Sequence, residues 1–224
     1  MYNYPLTLNF AFMSASPKIT VTDAGGQTLM SASKTLLSTK DEIKIANGRP
    51  LFQVVSQESR VTDIPSNWDI MTAEGQKLGV VDDDFLSLDA GAYVGNAAAA
   101  TGLNILKNQF VNEQALKMYW LKDQTGNKVG WIAPDKRSLS LQQLPLADFT
   151  RKIPFFFRFI CPSYVVRLGE RTVMLMQKQR TWMVDSYKLE AKGQLTPDEE
   201  KLLLPSVLLA LFYERAQLKQ LFGD

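Results

Sequence analysis

The sequence contains no histidine and a single cysteine, Cys161, among its 224 residues. Without an imidazole that titrates near neutral pH, Ser-His-Asp or Cys-His catalysis and histidine-ligated zinc are excluded. One cysteine allows neither an internal disulfide nor a thiolate cluster, which is typical of a reducing compartment. We therefore expect a cytoplasmic protein that is not an enzyme and has no metal site and no cofactor. Cys161, between Ile160 and Pro162, is expected to be a small buried residue, since only Arg158 is nearby to activate a reactive thiol.

An excess of charge of one sign and long hydrophobic runs are also missing. The 25 basic and 23 acidic side chains give a net charge of +2, so a nucleic-acid partner is not expected and any electrostatic recognition must be local. The longest apolar run, residues 202–213, is shorter than the roughly 20 residues of a membrane-spanning helix and contains Pro205. No secretory signal is recognisable at residues 1–6. We expect one domain over residues 1–224, without a transmembrane segment.

What is present is a series of short alternating segments bounded by Gly, Asp, Asn and Pro, which predicts strands joined by tight turns. The connections 22–27, 72–77 and 122–127 each contain a glycine suited to positive φ and are predicted to be hairpin tips. Their spacing of about fifty residues fits either a weak internal repeat or a meander that reuses one turn chemistry. The twelve predicted strands are 4–12, 18–23, 28–36, 42–46, 51–57, 68–72, 77–82, 115–122, 128–132, 163–168, 171–179 and 183–189.

Two stretches interrupt this pattern. Residues 85–114 are predicted to be an insertion with a short helix, since they contain the small residues of 91–95 (GAYVG) and 97–100 (AAAA). This helix either docks on a partner or membrane or covers one barrel mouth. Residues 138–162 carry three prolines around a phenylalanine-rich run, which indicates a connection packed over the end of the sheet.

The C-terminal segment predicts a helix over residues 196–222. Its start, 196–199 (TPDE), is a capping box with Pro197 at the first helical position. From residue 202 to 212 the helix is apolar on every face, which requires enclosure on all sides. We therefore predict an all-β fold, a closed antiparallel barrel of about twelve strands around this helix. The lumen should be filled by Leu203, Val207, Leu208 and Leu211, and Pro205 should bend the helix between Lys201 and Pro205.

Four segments carry a resemblance to a known family: 4–8 (YPLTL) leading into 19–24 (ITVTDA), 59–64 (SRVTDI) before Trp68, 153–156 (IPFF) through 162–165 (PSYV), and the terminal helix ending in Glu214-Arg215. In these segments the chain resembles the tubby C-terminal-like barrels, specifically the bacterial LURP-one-related and phospholipid-scramblase-like group. The resemblance rests on four segments and covers nearly the whole chain except 85–114. In that family, the resemblance implies, a twelve-stranded barrel surrounds the C-terminal helix. Tubby domains bind phosphoinositide head groups and scramblase-like proteins associate with membranes and calcium, so binding or scaffolding is implied rather than catalysis.

The resemblance suggests a head-group site at residues 33–42, where Lys34 and Lys40 match the basic run of the family. These lysines either contact an anionic lipid head group or are ordinary solvated residues at a strand end. The second basic stretch of the family is here the acidic 80–84 (VVDDD). Asp82, Asp83 and Asp84 could ligate calcium, but a charged strand end is the simpler interpretation. The calcium segment of scramblase-like proteins would lie just before the terminal helix, at Glu190 and 198–200. We do not expect a metal site there, since the acidic residues 198–200 complement the positive end of the helix dipole.

Three functions follow as hypotheses. The first is a non-catalytic binding or scaffold protein of the tubby-like class, whose partner is not identified. The second is a peripheral membrane protein that binds anionic lipid. The third is an enzyme that uses carboxylates, with Asp63, Asp69 and Asp185 as candidates, since paired carboxyl groups can act as acid and base without histidine. The sequence does not indicate an oligomeric state.

Overall fold

The computed structural model describes residues 2–11, 16–35, 39–58, 67–83, 118–135, 163–179 and 185–222, and of residues 215–222 only the backbone. The described part contains twelve strands followed by one helix. They are β1 Leu6–Phe10, β2 Lys18–Thr22, β3 Thr28–Thr35, β4 Glu42–Asn47, β5 Arg49–Ser56, β6 Asn67–Thr72, β7 Lys77–Asp82, β8 Tyr119–Lys122, β9 Lys128–Pro134, β10 Ser163–Leu168, β11 Arg171–Gln179, β12 Ser186–Ala191 and α1 Pro197–Phe222.

The strands form one closed barrel in which each strand pairs with its neighbours in the chain. All neighbours are antiparallel, and β1 pairs with β12 to close the barrel, with Leu6 opposite Leu189 and Leu8 opposite Tyr187. These four side chains are buried, so the alternation that predicted the strands also sets the face that points inward. The predicted closed barrel of twelve antiparallel strands is confirmed.

Each predicted strand has a counterpart, and several ends differ from the prediction by two to four residues. The first strand begins at Leu6 rather than at residue 4, because its ladder starts opposite Leu189 and Pro5 has no N–H to donate. Strand β8 begins at Tyr119. Strand β12 continues to Ala191, because β11 is long enough to pair with it there.

The two ends of the barrel differ in how the strands are joined. At one end, which we call the hairpin mouth, tight turns join the strands and α1 begins; Gly26, Gly75 and Gly126 adopt φ of 81°, 83° and 88° in the three predicted hairpin tips. At the other end, the loop mouth, the chain connects the strands through residues 11–17, 36–41, 57–66, 83–118, 135–162 and 180–185. Because binding residues concentrate in connections held by a rigid scaffold, the loop mouth is the end of functional interest.

The helix α1 lies inside the core of the barrel. Every residue from 202 to 212 is buried, which requires neighbours on all sides of the helix. The predicted filling residues are confirmed, since Leu203, Val207, Leu208 and Leu211 are all 0% exposed. The interior is therefore a packed apolar core rather than a channel over this length.

The start of α1 follows the predicted capping box. The Glu199 N–H donates to Thr196 Oγ1 at 3.2 Å, and the Thr196 N–H donates to Glu199 Oε2 at 2.8 Å. The helix is continuous through Pro205, and the Ser206 hydroxyl donates to the Leu202 carbonyl at 2.7 Å. The bend at Pro205 stays a prediction. Within the described part of the chain, no helix combines the length and apolar character needed to cross a bilayer.

Several sequence predictions lie outside the described residues. They concern the insertion 85–114, the connection 138–162, Cys161, Asp63 and Asp84.

Candidate functional site

Two lysines occupy inward-facing positions where strands reach the loop mouth. On β3, Lys34 lies two residues after the buried Ala32, and on β11, Lys178 lies two residues after the buried Met176. Because side chains two residues apart point to the same face of a strand, both ammonium groups belong to the inner face. The apolar lining of the barrel therefore becomes charged at this end.

Lys34 belongs to a hydrogen-bonded network that joins the wall to the helix. Its Nζ lies 2.9 Å from Asp41 Oδ2 and 4.4 Å from the centre of the Tyr213 ring. The Tyr213 hydroxyl also donates to Asp41 Oδ2 and accepts from Trp68 Nε1 at 3.2 Å. The Asp41 N–H donates to Ser56 Oγ at 2.9 Å. Asp41 and Tyr213 together thus connect the ends of β3, β5 and β6 to α1.

Lys178 repeats part of this arrangement at the β11–β12 connection. Its Nζ lies 3.3 Å from Asp185 Oδ1 and 5.6 Å from the centre of the Tyr187 ring. In both cases the aspartate directly precedes the next strand, and the lysine side chain is nearly buried, at 13% exposure for Lys34 and 12% for Lys178. The loop mouth therefore contains two similar ion pairs that each lie against a tyrosine ring.

Glu214, next to Tyr213 on α1, is the last residue of the helix whose side chain is described, and it is only 9% exposed. Burial raises the pKa of Glu214 to about 7, while Lys178 and the hydroxyl groups of Tyr164 and Tyr187 favour its charged form. The two phenols lie close enough to lower the pKa of the Glu214 carboxyl group. Neither Oε1 nor Oε2 of Glu214, however, has a hydrogen bond of regular geometry among the described residues. A carboxyl group in this setting is balanced between its charged and neutral forms near pH 7.

Three tyrosines of the wall share the electrostatic environment of Glu214. Tyr119, Tyr164 and Tyr187 come from β8, β10 and β12. Burial raises the pKa of each phenol well above its usual range, and the charge of Glu214 adds to that effect in all three. For Tyr119, the charge of Asp83 has the largest of the charge effects. The phenols therefore stay protonated at neutral pH and remain hydrogen-bond donors.

The structure places the two predicted head-group lysines differently. Lys34 is almost buried and paired with Asp41, so the interpretation of Lys34 as an ordinary solvated residue is wrong. Lys40 is exposed on the same connection. An anionic head group would meet Lys40 directly and would compete with Asp41 for Lys34. A lipid role for either lysine stays a prediction.

The predicted carboxylate candidates do not come together where the structure describes them. Asp69 points outward on β6, where it pairs with Lys77 at 2.7 Å and accepts a hydrogen bond from Gln57 at 2.8 Å. Asp185 lies at the start of β12, six strands away in either direction around the barrel. A shared catalytic role for these two carboxylates is therefore excluded by distance across the barrel.

The acidic residues at the end of β7, Asp82 and Asp83, point to opposite faces of the barrel wall. Asp82 pairs with Lys122 at 2.5 Å, whereas Asp83 is only 9% exposed. Among the described residues, no three carboxylates, histidines or cysteines form a group that could hold a metal ion.

Glu214, Tyr213 and Lys178 were not singled out by sequence reasoning. The signal for the first two was their position where the apolar run of α1 ends and the helix becomes polar. For Lys178, the signal was the continued alternation of β11 beyond Met176.

The chain matches no protein-family model, no curated protein and no solved structure. The resemblance to tubby-like barrels therefore stays a prediction. The candidate site lies at the loop mouth. Its described residues are Lys34, Asp41, Asp83, Tyr119, Tyr164, Lys178, Asp185, Tyr187, Tyr213 and Glu214. It offers ammonium, carboxylate and phenol groups at the end of an otherwise apolar core.

Proposed function

We propose that this chain is a non-catalytic binding or scaffold module of the tubby-like barrel class that engages its partner through the loop mouth. The observation that carries the proposal is the contrast inside the barrel. Residues 202–212 of α1 fill it with side chains that are apolar except for Ser206, whereas two nearly buried lysines, each paired with an aspartate, lie at the loop mouth. A barrel filled by its own helix offers a partner its ends and its outer wall rather than its interior.

The hairpin mouth has a weaker claim to this role. Polar side chains in its turns form hydrogen bonds with the backbone of the same turn. Asp23 Oδ1 accepts hydrogen bonds from the N–H groups of both Gly25 and Gln27 at 2.9 Å. Asp123 repeats this arrangement in the β8–β9 turn. Polar groups that already satisfy the local backbone shape a turn and leave less for a partner. The loop mouth, with its longer connections, is the better binding surface.

Site-specific photo-crosslinking tests which mouth the partner contacts. A photoreactive amino acid replaces Lys40 at the loop mouth or, as the matched control, Thr125 at the hairpin mouth; both positions are exposed. The variants are expressed in the native cell and adducts are identified by mass spectrometry. We expect a defined adduct from position 40, suppressed by excess unlabelled protein, and none from position 125. Equal adducts from both positions, or adducts from position 125 alone, would contradict the proposal.

An anionic lipid remains the alternative partner, because the exposed ammonium of Lys40 lies at this mouth. Co-sedimentation with vesicles of increasing anionic phospholipid content at low salt tests it. If lipid is the partner, Lys40→Glu should weaken binding more than Lys34→Glu, since Lys40 is exposed whereas the Lys34 side chain is only 13% exposed. Lys192→Glu at the hairpin mouth is the control and should bind normally. No sedimentation of the unmodified protein would eliminate the lipid and leave a protein or soluble ligand.

A further inference from the structure

The helix α1 extends beyond the strand ends of the loop mouth. Tyr213 packs on Trp68, near the start of β6, with ring centres 4.8 Å apart. The helix nevertheless continues for nine residues to Phe222, which carries its backbone about 14 Å further at about 1.5 Å per residue. Tyr213 and Glu214 are thus the last described side chains that join the helix to the wall.

Glu214 is surrounded by titratable groups from several strands. The structure gives its carboxyl group no regular hydrogen bond among the described residues, although it is 9% exposed. Among the described residues, the cation that favours its charged form, Lys178, is already paired with Asp185 at 3.3 Å. The groups that face Glu214, directly or through Tyr119, are Asp83 after β7, Tyr119 on β8, Tyr164 on β10, Lys178 on β11, Asp185 and Tyr187 at the start of β12, and Tyr213 on α1.

We propose that Glu214 is a proton-dependent switch that controls how firmly the end of α1 is held in the loop mouth. When protonated, the carboxyl group is neutral, is buried at low cost and can itself donate a hydrogen bond to a phenol oxygen. When deprotonated, it is a buried charge with no ion pair of its own among the described residues, so states that expose it to water become favoured. The switch depends on residues of the chain itself and holds whichever partner binds the mouth.

The direction of the switch follows from the shift of this group. We call the arrangement with Glu214 buried in the loop mouth the closed state, and one with Glu214 exposed to water the open state. Burial raises the pKa of Glu214 from 4.5 to about 7, so the closed state binds the proton more tightly than the open state. The closed state is therefore most stable at acid pH and loses stability as the pH rises between these two values. For one linked proton, the opening equilibrium should rise about tenfold per pH unit in this window and level off above it.

Hydrogen exchange of α1 measured from pH 4.5 to 8.5, corrected for intrinsic exchange, tests the switch. Protection of the helix end should fall about tenfold per pH unit up to near pH 7 and then become constant. Glu214→Gln should abolish this slope. Glu200→Gln removes a buried carboxylate at the other end of the same helix and should keep it. A flat profile in the unmodified protein, or an unchanged slope in Glu214→Gln, would overturn the proposal.

A direct titration keeps the proposal testable if Glu214→Gln does not fold. Carboxyl carbon NMR of the unmodified protein should show Glu214 titrating at about 7. Lys178→Met removes a group that favours the charged form, so the midpoint should move to higher pH. Lys34→Met removes the equivalent lysine of the other ion pair and should leave the midpoint unchanged. A Glu214 midpoint near 4.5, or no response to Lys178→Met, would exclude the switch.

Discussion

Lys34 and Asp41 form an ion pair that is almost completely withdrawn from water. Their side chains are 13% and 5% exposed, and Nζ lies 2.9 Å from Oδ2. The Tyr213 hydroxyl donates to the same oxygen, so the pair bridges the β3–β4 connection and the buried helix. Desolvation of two charges is costly, and close geometry with additional hydrogen bonds offsets that cost.

Removing one partner of this pair should be strongly destabilising. We expect Asp41→Ala to lower the free energy of unfolding by about 3 to 5 kcal/mol, because Lys34 is left charged and buried. Urea denaturation measures the change. The exposed pair of Asp198 and Lys201 is the control, and Asp198→Ala should cost at most about 1 kcal/mol. Equal losses in both variants would show that burial does not strengthen the Lys34 pair.

Gly130 on β9 should not accept a side chain. A Cβ at this position would lie 2.0 Å from the Arg167 carbonyl oxygen, a backbone atom that cannot move without distorting the β9–β10 ladder. We expect Gly130→Ala to lower the unfolding free energy by at least about 1 to 3 kcal/mol in urea denaturation. Gly193→Ala is the matched control, since its Cβ would meet nothing within 4 Å. That variant should be neutral or more stable by up to about 1 kcal/mol.

The cap of α1 should contribute measurably to stability. Thr196→Ala removes the hydroxyl that accepts the Glu199 N–H and should lower the unfolding free energy by about 1 kcal/mol. Thr196→Ser keeps the hydroxyl and should behave like the unmodified protein. Thermal unfolding of the three proteins at one pH distinguishes these outcomes, and an equal loss in the serine variant would refute the capping role.

The other half of the cap predicts an acid dependence. Hydrogen bonding from the Thr196 N–H, followed by the interaction with Arg171, lowers the pKa of Glu199 below its usual 4.5. This group therefore stabilises the fold above its usual pKa, and the contribution is lost as the pH falls through the lowered value. Glu199→Gln should lose less stability than the unmodified protein between pH 7 and pH 3, as measured by urea denaturation. An identical acid loss in both proteins would contradict the role of Glu199.

The filled interior predicts a large penalty for truncating α1. Leu208 is 0% exposed within the core, so Leu208→Ala should lower the unfolding free energy by about 3 to 5 kcal/mol through lost contacts and a cavity. Leu208→Met conserves volume and should cost less than about 1.5 kcal/mol. Urea denaturation compares the two. A small loss in the alanine variant would indicate that the barrel is loosely filled.

Most of the architecture could be predicted from the sequence because local rules determine it. The two-residue alternation of segments such as 6–10 and 171–179 marked the strands, and the glycines at 26, 75 and 126 marked the turns. The capping box at Thr196 and the apolar faces of 202–212 predicted both the start of α1 and its enclosure. These signals act within one element or between adjacent elements, so a single sequence displays them.

The candidate site, in contrast, was decided by the tertiary structure. Lys34 has the sequence context of a solvated strand end, and only the barrel wall and Tyr213 make it a buried ion pair. Glu214 acquires its environment from tyrosines of β8, β10 and β12, which closure of the barrel brings around the helix. Burial and electrostatic coupling depend on groups far apart in the chain. The sequence by itself therefore determined a barrel around an apolar helix, and only the folded structure decided which charges lie together at its loop mouth.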